Sequence, residues 1–137
     1  MENGNYLDST RKLFQYYRGL GDKALAQISD DHIHWQPGPE SNSVAIIVRH
    51  MSGNMLSRFT DFLGSDGEKP WRNRDAEFEN SYADKTELLE AWNAGWECFF
   101  NAVNPLKESD LGTIVYIRNE GHTVLEARPL DLVMGVA

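Results

Sequence analysis

The sequence predicts an all-α domain with one short strand or hairpin near residues 113–118. Three long runs, at 6–28, 43–63 and 84–104, space apolar residues three and four apart, as one face of a helix does. Each is bounded by residues that cap or stop helices, and only Thr113 to Arg118 (TIVYIR) has the β-branched and aromatic content of a strand. With 137 residues, 41% of them apolar and four Trp, the chain can bury one moderate core, so a single domain over 1–137 is expected.

The first helix is read from Tyr6, Leu13, Phe14, Tyr17, Leu20, Ala24 and Ile28 on one face. Gly19 and Gly21 weaken it by about 1 kcal/mol each relative to Ala, so a bend or a close approach to a neighbour is expected there. Residues 29–41 contain Pro37-Gly38-Pro39 and form a connection, with Trp35 expected to pack onto the bundle end. The second helix starts at Ser41, Asn42 or Ser43, any of which can cap it, and stops at Gly64. Val44 to Val48 are consecutive apolar residues, which predicts burial nearly all round. Met51, Met55, Phe59 and Phe62 form an apolar stripe beyond them, and Ser43, His50, Asn54, Ser57 and Asp61 fall on a separate polar face.

Residues 64–83 form a long polar connection, and a loop of that length in a compact domain is more often functional or a crossover than an idle tether. Asp84 and Glu87 have capping-box spacing and open the third helix, in which Leu88, Trp92, Trp96, Phe99 and Val103 share a face up to Asn104-Pro105. After the strand, Asn119-Glu120-Gly121 reads as a turn, and Thr123 to Glu126 as the cap of a fourth helix. Pro129 would cut that helix short, so it is expected to be short or missing.

Composition excludes several functions. A net charge of −8 provides no basic footprint for nucleic acid, and no apolar run approaches the roughly 20 residues that cross a bilayer. Cys98 is the only cysteine, and the N-terminus has no apolar segment of the signal-peptide kind, so a reducing, cytoplasmic setting is expected. Gly-rich phosphate loops, a CxxC pair and an HExxH helix are absent from the sequence.

His50 stands where the apolar end of the second helix meets its polar stripe, and two roles are open to it: metal ligand, or hydrogen-bonded residue of the bundle. His32 and His34 alternate across an exposed loop. Cys98 borders the apolar face of the third helix as a buried, inert thiol. The Lys69 to Arg74 run (KPWRNR) is nearly cancelled by neighbouring carboxylates and reads as a crossover with internal Arg–carboxylate pairs, packed by Trp71 and Phe78.

Together, Trp35 and Pro37, the run SNSVAIIVRHMSGNMLSRFTDFL, the block GEKPWRNRDAEF (67–78) and NEGHTVLEA (119–127) resemble a bacterial branch of the DinB-like (DinB/YfiT-like) metalloenzyme superfamily. The resemblance covers residues 6–127. It implies an up-and-down four-helix bundle with a long crossover between the second and third helices. It further implies a divalent metal, zinc or nickel, held by one histidine of the second helix and two histidines four apart on the fourth. His50 matches the first of these. After Ala127 the sequence RPLDLVMGVA carries no histidine and departs from the family pattern, as a truncation or frame change would. His122, Glu126 and Asp61 are the residues of this chain that could serve as accessory ligands, although a surface turn is the commoner home for a residue placed like His122.

The function implied by the resemblance is divalent-metal binding and metal-dependent transfer of a small thiol to an electrophile, or hydrolysis, on a small-molecule substrate, with the site incomplete. The alternative is a non-catalytic bundle that forms a homodimer through the groove left by the fourth helix.

Overall fold

In the computed structural model, which describes residues 4–79, 81–118 and 120–124, the chain forms three α-helices and a two-stranded antiparallel hairpin. The helices are α1 (Gly4–Gln27), α2 (Val44–Phe59) and α3 (Lys85–Val103); the strands are β1 (Ile114–Ile117) and β2 (Glu120–Thr123). The fold is therefore mostly helical, as the apolar spacing predicts. The fourth-helix segment expected after Val124 lies outside the described residues.

Helix α1 buries a narrower face than its composition suggests. Leu7, Phe14 and Leu25 are inside, at positions i, i+7 and i+18, which are whole numbers of turns apart. Leu13, Tyr17 and Leu20, expected on the buried stripe, are 42%, 42% and 47% exposed. Apolar residues on α1 occupy two adjacent faces, and only contact with α3 selects between them. Gly21 provides that contact: a Cβ there would lie 2.4 Å from the Trp92 ring, whose Nε1 donates to Asp22 Oδ1 at 2.7 Å.

Ser43 caps α2, its hydroxyl accepting from Ile46 N at 3.1 Å. The helix ends at Phe59 rather than at Gly64, because Thr60 leaves the helical region at ψ 122 and Asp61 takes φ 50, a left-handed stop that Asp tolerates. The apolar start is not buried all round either: Ala45, Ile46 and Val48 are inside while Ile47 is 46% exposed. The polar face lies largely inside: Ser43, Asn54 and Ser57 are buried, so much of that face of α2 is part of the interior.

Helix α3 follows its sequence pattern closely. Asp84 caps it by accepting from Glu87 N at 2.9 Å, while the Glu87 carboxylate accepts from Ala83 N, and Leu88, Trp92, Trp96, Phe99 and Val103 are all buried. Gly95 lets α2 and α3 touch: a Cβ there would lie 3.0 Å from Ser52 Cα, and Ser52 Oγ donates to Ala91 O at 2.8 Å. Phe99 sits at the centre, its ring 4.6 Å from Phe14 and 4.8 Å from Phe59.

The hairpin pairs Ile114 with Thr123 and Ile117 with Glu120, so Glu120 and Gly121 belong to a strand rather than to a turn. Arg118 takes φ 53 at the reversal. The hairpin is tied to the 64–83 connection by Gly67 N donating to Tyr116 O at 2.7 Å and by Arg118 N donating to Asp66 Oδ1 at 2.8 Å. Trp35, Trp71 and Phe78, each expected to pack, are 63%, 57% and 54% exposed. The connection is held by charge instead.

Candidate functional site

The 64–83 connection folds back on α2 through a chain of ion pairs in which Arg58, Arg72 and Glu77 are buried and Glu68 and Arg74 partly exposed. Glu68 Oε2 accepts from Arg58 Nη1 at 2.7 Å, and Glu68 Oε1 lies 3.2 Å from Arg74 Nε. Arg72, whose side chain is 1% exposed, grips Glu77 with two bonds, Nε to Oε2 at 2.9 Å and Nη2 to Oε1 at 3.0 Å. Such fork-on-carboxylate geometry is among the stronger protein hydrogen bonds. The internal Arg–carboxylate pairing read from the sequence is thus present.

Glu77 extends the chain to His50. It lies on a 3-10 turn, Asp75–Phe78, whose side chain at 77 is 6% exposed and reaches α2 over Gly53. His50 Nδ1 is 3.1 Å from Glu77 Oε1, and the Phe78 ring lies 5.6 Å from the imidazole. Burial alone would push the Glu77 carboxyl above its ordinary range. Hydrogen bonds from His50 and Arg72, together with their charges, outweigh that and hold it below.

An ionised carboxylate only accepts, so the proton between the two groups sits on Nδ1, and in its neutral form the His50 ring would carry its lone pair on Nε2. A carboxylate on one ring nitrogen is the usual support for an imidazole that binds a cation through the other. Beside this pair lies a cleft of about 330 Å³ lined by Arg49, Ser52, Trp71, Glu77 and Tyr82 among others. Tyr82 has its phenol pushed up by burial and a backbone at φ 53, a strained position for an aromatic residue.

The other candidates lie elsewhere. Asp61 is past the end of α2, nine helical residues beyond His50 plus the cap, or more than about 13 Å along the axis. It lines a larger cleft of about 640 Å³ with Cys98 and Glu97, where Cys98 is half-buried and its thiol is 3.5 Å from Thr60 Oγ1. That cleft holds two carboxylates and no histidine among its lining residues, so size does not make it the better site. His122 is half-buried on β2 opposite Val115. Glu126 lies outside the described residues. His32 bonds Ser29 Oγ at 2.7 Å, and His34 bonds Ser81 O at 2.6 Å, both on the exposed loop side.

A bound cation can be tested against this geometry. His50 Nε2 suits one as a ligand atom, but Glu77 is already taken by Arg72. Among the described residues no three His, Cys, Asp or Glu side chains converge to hold a metal. The described residues therefore supply one supported arm of a metal site and not a closed set.

Sequence reasoning found His50 and missed Glu77. Twenty-seven residues separate them, and no periodicity links a helix position to a 3-10 turn in a polar connection. The available signal was the Arg and Glu alternation in residues 67–78, which marks a segment able to bury charge in pairs.

A family model described as a protein of unknown function, DUF1572, matches residues 2–133. The chain belongs to the DUF1572 family. The match extends past Ala127, after which the sequence departs from the resembled pattern, and no match to a curated protein was found. No helix among the described residues of this DUF1572 chain is long and apolar enough to cross a membrane.

Proposed function

We propose that this DUF1572 protein is a DinB-like helical bundle whose His50 binds a divalent cation, zinc or nickel, through Nε2. The observation that carries the reading is the imidazole held by an ionised, buried carboxylate on Nδ1, which leaves Nε2 as the lone-pair nitrogen. Glu126 or a second subunit supplies further ligands. A cation bound there would polarise an oxygen or sulfur ligand, as transfer of a small thiol to an electrophile, or hydrolysis, requires. The chain's own contribution is to hold the imidazole in one tautomer and to shield one side of it with Phe78.

Zinc and nickel affinity of the purified chain tests this. The wild type is expected to bind one equivalent, His50→Ala to lose it, and Glu77→Gln to weaken it about 10- to 100-fold by releasing the imidazole. A wild type that takes up neither metal, or a His50→Ala variant that binds as well, defeats the reading.

A second reading is a non-catalytic homodimer, favoured by the exposed row Leu13, Tyr16, Tyr17 and Leu20 on α1. A solution mass equal to one chain of 15.6 kDa counts against it.

A further inference from the structure

The cleft of about 330 Å³ between α2, α3 and the 64–83 connection has the composition of a small-ligand pocket: an apolar lining with a few polar groups, at the small end of the usual size range. Leu56, Ala91 and Ala94 supply the apolar part, and Arg49 and Tyr82 bring donors. Arg49 is the anomaly. The chain carries 21 Asp and Glu against 13 Lys and Arg, yet this half-buried guanidinium has no carboxylate partner among the described residues. Its Nη1 donates instead to Ser81 Oγ at 2.9 Å and to Glu79 O at 3.4 Å, which leaves the Nε–Nη2 edge unused there. That is the edge with which Arg72 grips Glu77. A planar pair of donors of this kind takes a carboxylate in two parallel bonds. Glu77 also lines the cleft, but its side chain is 6% exposed and its oxygens already accept from Arg72 and His50, so Arg49 is the charge left for a ligand.

Tyr82 provides the second donor. Its φ of 53 is a costly conformation that persists only where the surroundings enforce it, and such strain gathers at binding sites. The enforcement comes through Ser81, whose Oγ accepts from Arg49 and whose carbonyl accepts from His34 Nε2 at 2.6 Å. The outcome is a half-buried phenol lining the cleft, within the field of Arg49 and free of hydrogen bonds among the described residues. Trp71 completes the lining with an indole that is 57% exposed, an aromatic face for a flat apolar group to cover.

We propose that this cleft binds a small carboxylic acid with a ring-sized apolar body, its carboxylate held by the Arg49 Nε–Nη2 edge and the Tyr82 hydroxyl, its body on Leu56, Ala91 and Ala94 beside Trp71. A monoanion matches the single unpaired cation; a phosphate brings a second negative charge into a chain of net charge −8 and is disfavoured. No cation takes part, so the assignment stands apart from the metal reading.

Calorimetric titration of chelator-treated protein with benzoate tests this, with benzamide and inorganic phosphate as comparisons. Wild type is expected to bind one benzoate saturably, and benzamide and phosphate at least about 10-fold more weakly, because a charged acceptor on Arg is worth more than a neutral one. Arg49→Gln and Tyr82→Phe are each expected to weaken benzoate about 10-fold or more. Trp71→Ala should weaken benzoate by a few fold while leaving its preference over benzamide intact. A wild type that shows no saturable benzoate binding overturns the proposal. So does benzamide or phosphate binding as tightly as benzoate, or a Tyr82→Phe variant that binds benzoate as wild type does. The last comparison keeps the ring and the backbone, so it decides even if Arg49→Gln, which releases Ser81, fails to fold.

Discussion

Replacing Gly53 by Ala tests whether the Glu77 carboxylate is pinned or merely adjacent. In an ordinary helix interior the change stabilises by about 1 kcal/mol, because Ala loses less backbone entropy than Gly. At this position a Cβ would lie 2.2 Å from Glu77 Oε2 and 2.9 Å from its Cδ. The carboxylate would have to withdraw by roughly 1 Å to reach even a tight contact. A free carboxylate would swing away cheaply. This one accepts two bonds from Arg72 and one from His50, and a 1 Å shift takes the 2.9 Å Nε–Oε2 bond out of hydrogen-bonding range. Arg72, 1% exposed, would keep a poorly paired buried charge, a situation that costs about 3–5 kcal/mol when a partner is removed outright. Partial loss minus the helix gain leaves Gly53→Ala less stable by about 2 kcal/mol. Urea unfolding at neutral pH measures it, and the same substitution in a Glu77→Ala background should instead stabilise by about 1 kcal/mol. If Gly53→Ala stabilises the wild-type background too, the carboxylate is not held as described and the reasoning fails.

Three other outcomes follow from the same geometry. Gly95→Ala should destabilise by about 1–2 kcal/mol in urea unfolding, since its Cβ would meet the Ser52 backbone at 3.0 Å and force α2 from α3; an unchanged midpoint would mean the helices part freely. Arg118→Asn should raise stability by about 0.5 kcal/mol because Asn accepts φ 53 more readily than Arg, and a lowered Tm would contradict that. The folded Glu77 carboxyl titrates below its unfolded value, so the native state binds fewer protons across that interval and its stabilising contribution is complete above the ordinary Glu range, near pH 4.3. That contribution is lost as pH falls through the folded pKa, so wild type should lose stability more steeply than Glu77→Gln below about pH 4.5, and parallel acid limbs would refute the shift.

The helices were legible in the sequence because their determinants are local. Asp84 and Glu87 announce the start of α3, and the five residues from Leu88 to Val103 on its apolar face are buried as their spacing requires. Where two apolar faces compete, spacing has no vote: Leu13, Tyr17 and Leu20 fit a stripe as well as Leu7, Phe14 and Leu25 do, and only the seat of Trp92 over Gly21 decides. The hairpin lies between these cases. TIVYIR shows one strand, but Glu120 and Gly121 have no strand propensity of their own and pair because Tyr116 and Arg118 are already placed by Gly67 and Asp66.

The burial of the α2 polar face has the most bearing on function. Polarity is a guide to exposure only while water is the cheapest partner, and each of these groups has found or requires another. Ser52 and Ser57 stitch α2 to α3 and to the 64–83 connection, and Arg58 anchors that connection through Glu68. Once the connection is held, Glu77 is carried back over Gly53 onto His50, and the charge that would be unaffordable alone is neutralised by Arg72. The same residues that read in the sequence as a polar stripe and a charged loop therefore build one interior polar wall. Removing Arg72 should unseat Glu77, then the His50 tautomer, in that order. An Arg72→Met variant that retains the His50 Nδ1–H signal in nitrogen NMR would show that the wall is not continuous.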